Sequence, residues 1–96
     1  MKSREDIDLM NPNELVAWFM MGSYLYYIEG TQIMSDPDFD YLVQRLKTNW
    51  DNSDHPHKKY ITQSHLDAST GYDIPYPSIV KYASLSYIKE LQNESR

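Results

Sequence analysis

The chain contains no cysteine, which excludes disulfides, thiolate metal sites and a cysteine nucleophile. It has no apolar run near the roughly 20 residues that a membrane-spanning helix requires. Its first residues, Met1-Lys2-Ser3-Arg4-Glu5-Asp6, lead into further polar positions and not into the apolar segment of a signal peptide. These absences predict a cytoplasmic protein with no membrane partner. Only three glycines occur, and Gly22, Gly30 and Gly71 stand isolated, so no glycine-rich loop cradles a phosphate. The formal net charge is −5 and the basic residues are scattered, His57-Lys58-Lys59 being their densest point. Autonomous nucleic-acid binding needs a basic stripe to neutralise phosphates, and this sequence has none.

What the chain does have is tyrosine, nine in 96 residues. Tyrosine carries a flat apolar face and a polar tip, which suits it to stacking on a ring or to a wet interface. Most of the nine are expected at the margin of a core. A chain of this length is one domain and buries about 60–65% of the surface of its unfolded form, enough for one modest core. Any site is therefore expected to be a surface groove, or half a site completed by a partner.

Along the chain, Asn11-Pro12-Asn13-Glu14 reads as a helix start: a capping side chain, proline at the first helical position and glutamate at the third. Leu15, Trp18, Phe19, Gly22, Leu25 and Tyr26 follow at spacings of three and four, one apolar face of a helix. Gly30 is placed to end it in a left-handed conformation. Ser35-Asp36-Pro37-Asp38 is a second start, with Asp38 positioned to complete a capping box and both aspartates favoured by the helix dipole. Phe39, Leu42, Val43 and Leu46 give its apolar stripe, with Trp50 near the end. The short turn between these helices predicts antiparallel neighbours.

Residues 51–61 read as a loop, Ser64 to Asp67 as a brief helical turn stopping at Gly71, and Tyr72 to Tyr76 as extended, because Pro75 and Pro77 disfavour helix before them. Pro77 opens a last helix through Ile79, Val80, Ala83, Tyr87 and Leu91 that frays by Asn93. The expectation is an all-α fold, a small bundle of three to four helices containing an antiparallel helical hairpin. It forms one domain over residues 11–93, with a disordered segment at 1–10 and a frayed end at 94–96.

The most informative stretch runs from Tyr26-Tyr27-Ile28-Glu29-Gly30 through Ile33-Met34-Ser35-Asp36-Pro37-Asp38-Phe39-Asp40-Tyr41-Leu42. It resembles the N-terminal helical domain of NAD-dependent DNA ligases. That family's pattern is tyrosine-histidine, a turn, isoleucine-small-aspartate-x-glutamate-tyrosine-aspartate and a leucine-rich helix. In that family the domain holds the nicotinamide mononucleotide half of NAD. The resemblance spans about Trp18 to Trp50 and implies Tyr26, Tyr27, Asp36, Phe39 and Asp40 as cofactor-binding residues. Tyr27 stands where the family has histidine, and Phe39 where it has tyrosine. These departures remove a ring nitrogen and a hydroxyl.

The residue types suit such a ligand. The oxidised nicotinamide ring is flat and cationic, and aromatic faces attract it with about 0.5–2 kcal/mol each. Carboxylates four residues apart on a helix share a face; there they can accept hydrogen bonds from ribose hydroxyls or the carboxamide while offsetting the ring's charge. Each residue also has a plain structural role open to it. Asp36 suits a first-turn dipole position, Phe39 a core stripe, and of Tyr26 and Tyr27 one is expected to pack and the other to face outward.

Catalytic machinery is not legible. No lysine begins the Lys-x-Asp-Gly adenylation motif of such ligases, Lys81-Tyr82-Ala83-Ser84 being the nearest. His55 and His57 are expected to be surface or capping residues and not metal ligands. Ser64, His65 and Asp67 lie too close in sequence to form a triad. The segments His55-Pro56-His57-Lys58, Leu66 to Tyr72 and Tyr76 to Val80 are similar to small stand-alone ligase-like proteins of bacteriophages, which implies a host-cytoplasm location and an unassigned role. Three readings result: a non-catalytic module binding nicotinamide mononucleotide or NAD with or for a protein partner, an interaction protein that kept the scaffold without the ligand, and an enzyme processing such nucleotides. No catalytic residue and no metal are expected.

Overall fold

A computed structural model describes residues 2–68 and 70–94, with the side chain of Glu94 excepted. Among the described residues there are five α-helices, three short helical turns of other pitch and no strand. The helices are α1 (Arg4–Asp8), α2 (Pro12–Tyr24), α3 (Asp36–Thr48), α4 (Gln63–Asp67) and α5 (Ser78–Glu94). The all-α expectation holds, with two short helices more than the periodicity alone indicated.

The start of α2 is built as its residues dictate. Asn11 accepts from the Glu14 backbone N–H at 2.8 Å, and the Glu14 carboxylate takes the Asn11 N–H at 3.0 Å. Leu15, Val16, Phe19 and Met20 are fully buried along the helix. Beyond Tyr24 the coil widens into a π-helical turn, Leu25–Glu29. Gly30 (φ 69°) ends it, and the Thr31 N–H closes on the Leu25 carbonyl at 2.8 Å. A side chain is disfavoured at that left-handed φ, so glycine is the residue the stop requires.

Helix α3 presents Leu42, Val43 and Leu46 to the core, all fully buried. Ser35 caps it by accepting from the Asp38 N–H at 3.2 Å, but no reciprocal bond from the Asp38 carboxylate forms. That carboxylate turns instead to Arg4 of α1, with N–O separation 3.6 Å. α2 and α3 run antiparallel. The start of α2 is tied past the end of α3, where Asp54 N–H donates to the Asn13 side chain at 2.8 Å, and Gly22 near its end lies against Phe39 near the start of α3.

Residues 2–10 depart from the expected disordered segment; Met1 lies outside the described residues. Ser3 and Asp6 form a capping box, α1 follows, and Ile7 is fully buried while Met10 is nearly so. Ile7 and Met10, set in a short and mostly polar run, give no periodic signal, yet they anchor the segment. Arg4 lies over the Tyr41 ring at 4.4 Å, the Tyr41 hydroxyl donates to Asp8, and the Lys2 N–H reaches the Ile33 carbonyl at 2.9 Å.

The expected loop at 51–61 carries two 3-10 turns, Trp50–Asn52 and Pro56–Tyr60. Lys58 stitches them, donating to the carbonyls of Trp50 at 2.6 Å and Ser53 at 2.8 Å with its ammonium over the Trp50 ring. Thr62 caps α4, which starts at Gln63, one residue before the expected turn. α5 starts at Ser78 and extends through Glu94 without fraying at Asn93; of the expected frayed end, Ser95 and Arg96 lie outside the described residues. It packs on α2 through an edge-to-face contact of Trp18 and Tyr87, ring centroids 4.9 Å apart.

Candidate functional site

Where the end of α2 meets the start of α3, a cavity of about 250 Å³ opens to the surface. All five residues singled out from the sequence line it: Tyr26, Tyr27, Asp36, Phe39 and Asp40. Gly22, Gln32, Ile33, Met34 and Ala68 complete the lining.

Each wall has a local cause. Both consecutive tyrosines of the π-helical turn Leu25–Glu29 line the cavity. Neither tyrosine is a core residue: Tyr26 is 48% exposed and Tyr27 half-buried. Their rings meet edge to face at 4.9 Å. Tyr26 is the outward one of the pair, and Tyr27 is packed only in part.

Phe39 is both core and wall. Its ring stacks on the buried Phe19, centroids 5.8 Å apart and planes 22° from parallel. Gly22 gives it room: a Cβ there would meet Phe39 Cε1 and Met34 Cε at 3.4 Å.

The two carboxylates stand on one face at the start of α3, four residues apart. The Gln32 amide donates to Asp36 Oδ1 at 3.1 Å and fixes its direction. Asp40 is exposed and makes no side-chain hydrogen bond or ion pair among the described residues. Among the described residues, no lysine, arginine or histidine belongs to the lining. The site is an aromatic bowl with two acids at its rim, suited to a flat cationic group.

Several of these residues were not legible in advance. Gln32 sits in the turn between two helices, where no periodicity singles it out. Ala68 arrives from the C-terminal end of α4, a long-range approach that no local pattern encodes. Tyr72, 73% exposed, extends the aromatic run at the rim through an edge-on contact with Tyr27 at 6.1 Å.

The histidines are occupied structurally. His55 Nδ1 accepts from the His57 N–H at 3.0 Å, and burial first, then the neighbouring His55 and Lys59, hold His57 below the usual imidazole range. His65 Nδ1 accepts from the Thr62 N–H at 2.9 Å, so its proton lies on Nε2 and points at Asp73 Oδ1, 2.5 Å away. With both nitrogens engaged, this buried imidazole is an architectural element. Among the described residues no group of three or more metal-binding side chains converges. No protein-family model, curated protein or solved structure matches this chain.

Proposed function

We propose that this domain is a non-catalytic binding module that holds nicotinamide mononucleotide or NAD by its pyridinium ring and acts with or on a protein partner. One observation carries the reading: three aromatic side chains and two carboxylates from two helices line a single open cavity.

The residues suit the group. Tyr26, Tyr27 and Phe39 would supply ring faces and edges, and Asp36 and Asp40 would accept from ribose hydroxyls or the carboxamide. The cavity volume of about 250 Å³ lies below the roughly 300–1,000 Å³ of sites for drug-sized ligands, so it suits one ring and part of a ribose. The remainder of NAD would stay outside or reach a partner. This allotment agrees with the resemblance to the N-terminal domain of NAD-dependent ligases.

Calorimetric titration with nicotinamide mononucleotide and with NAD tests the proposal, using wild type, Asp36→Ala and Asp40→Ala. Saturable heat in wild type, lost in either variant, supports it. No heat at millimolar ligand removes it.

The second reading, an interaction protein without a ligand, has its own observation. Ile79, Tyr82 and Leu85 recur at helical spacing along α5 and are all exposed. It gains ground if the titrations are silent and substitutions on α5 abolish recovery of a partner.

A further inference from the structure

We propose that the cavity selects a permanent positive charge on a flat ring and takes nothing from phosphate, so that its ligand class is the N-substituted pyridinium. On this view the nucleoside binds at least as tightly as the nucleotide. The inference rests on the binding reading above and sharpens it.

The charges around the cavity carry the argument. Among the described residues, its only ionisable lining residues besides the two tyrosines are Asp36 and Asp40. Three cations of the neighbouring segments are engaged elsewhere, and Arg45 of α3 lines a separate depression with Tyr41, not this cavity. Arg4 pairs with Asp38 and covers the Tyr41 ring. Lys47 pairs with Asp67 at 3.2 Å. Lys2 sits over the Trp18 and Tyr87 rings. A phosphate attached to a ligand in the bowl would therefore meet two carboxylates and no basic partner among the described residues. Charges closer than about 8–10 Å are incompletely screened at ordinary ionic strength, so the repulsion is felt.

A cationic ring meets the opposite situation. Aromatic faces carry negative electrostatic potential and attract cations. The Asp40 carboxylate has no competing partner among the described residues, and Gln32 already orients Asp36. Burying Asp40 against a neutral ring would desolvate a charge with no compensation. The preference for cation over neutral isostere thus follows from the same residues that reject phosphate.

The test compares four ligands by calorimetric titration of the full chain: 1-methylnicotinamide, nicotinamide, nicotinamide riboside and nicotinamide mononucleotide. The expected order is 1-methylnicotinamide tighter than nicotinamide by about tenfold or more, equivalent to about 1.4 kcal/mol. Nicotinamide riboside should equal or exceed the mononucleotide. Asp40→Asn should shrink the cation preference, and because Asp40 is exposed and unpartnered the variant should keep the wild-type circular dichroism spectrum. Equal affinity for the cationic and neutral rings overturns the proposal. So does mononucleotide binding about tenfold tighter than riboside. Mononucleotide binding without either phosphate-free cation removes this inference and leaves the binding module standing. Silence with every ligand, NAD included, removes both.

Discussion

Phe39 rests its ring on Phe19 at a centroid separation of 5.8 Å while its edge borders the space that Gly22 leaves empty. One side chain thereby joins the core of the hairpin to the wall of the candidate site. Phe39→Ala should lower stability by about 2 kcal/mol, less than the 3–5 kcal/mol of a fully buried ring because Phe39 is only half-buried. Phe39→Leu should recover much of that stability but not the aromatic wall. Chemical denaturation and pyridinium titration of both variants separate the two roles; equal binding by wild type and the folded Leu variant would remove Phe39 from the site.

Gly22 offers the converse test. A methyl group there would sit at 3.4 Å from Met34 Cε and Phe39 Cε1, the near limit of ordinary contact. Alanine in a helix interior is favoured over glycine by roughly 0.8–1 kcal/mol. Gly22→Ala should therefore leave stability unchanged or raised by up to about 1 kcal/mol while narrowing the cavity floor and weakening ligand binding. A loss of stability in urea titration would mean that the Phe39 ring cannot give way.

How far the sequence foretold this arrangement depends on the range of the interaction. The caps at Asn11 and Ser35, the stop at Gly30 and the stripe Leu42-Val43-Leu46 are local, and spacing reveals them. The convergence of Tyr26, Tyr27, Asp36, Phe39 and Asp40 lies across a single short turn, close enough for a motif to carry it. Gln32 and Ala68 were not legible because a turn has no period and α4 reaches the cavity only through tertiary packing. The π-helical turn was equally hidden: an apolar period of 3.6 counts Tyr26 on the α2 face and gives no sign of a change in pitch after Tyr24. Asp38 illustrates competition, since its position suits a capping box until Arg4 of an unforeseen helix takes the carboxylate.

Gly71 marks a close approach of the chain before α5 to the end of α2. A Cβ at Gly71 would lie 2.5 Å from Ser23 Cβ and 2.7 Å from the Tyr76 hydroxyl, which donates to the Gly71 carbonyl at 2.6 Å. The first clash is with an atom fixed to buried helix backbone and cannot be relieved by a rotamer change. Gly71→Ala should cost about 1–3 kcal/mol, as overpacking does. Thermal unfolding followed by circular dichroism measures it, and an unchanged midpoint would contradict the close packing.

Acid should weaken the fold through Asp67. The Gln63 amide at 2.9 Å and the Lys47 ammonium at 3.2 Å hold its carboxyl below the usual range. A depressed native pKa means that the folded state binds fewer protons than the unfolded chain as the group titrates. The contribution is present above about pH 4 and is lost as the pH falls through the native value. Asp67→Asn should therefore narrow the difference between urea midpoints at neutral and strongly acidic pH. Some acid sensitivity should persist, because the Ser3 cap holds Asp6 low in the same way. An identical difference in wild type and variant would assign the whole acid response to other carboxylates.

The N-terminal segment yields the last test. Ile7 is fully buried, and α1 is further attached to α3 by Arg4–Asp38, by Tyr41 and Asp8, and by Arg4 over the Tyr41 ring. Exposed pairs of this kind contribute only about 0–1 kcal/mol each, so the apolar side chain must supply most of the anchorage. Ile7→Ala should cost about 2–5 kcal/mol, as truncation of a buried isoleucine does. Arg4→Ala, which removes the ion pair and leaves Ile7 in place, should cost much less. Hydrogen exchange adds a spatial readout: Ile7→Ala should lower protection across residues 4–10 and at Lys2, whose N–H reaches the Ile33 carbonyl beside the cavity. If Ile7→Ala instead matched wild type in both stability and exchange, residues 1–10 would be a dispensable tail. The Ile33 end of the cavity would then have to hold its shape without them.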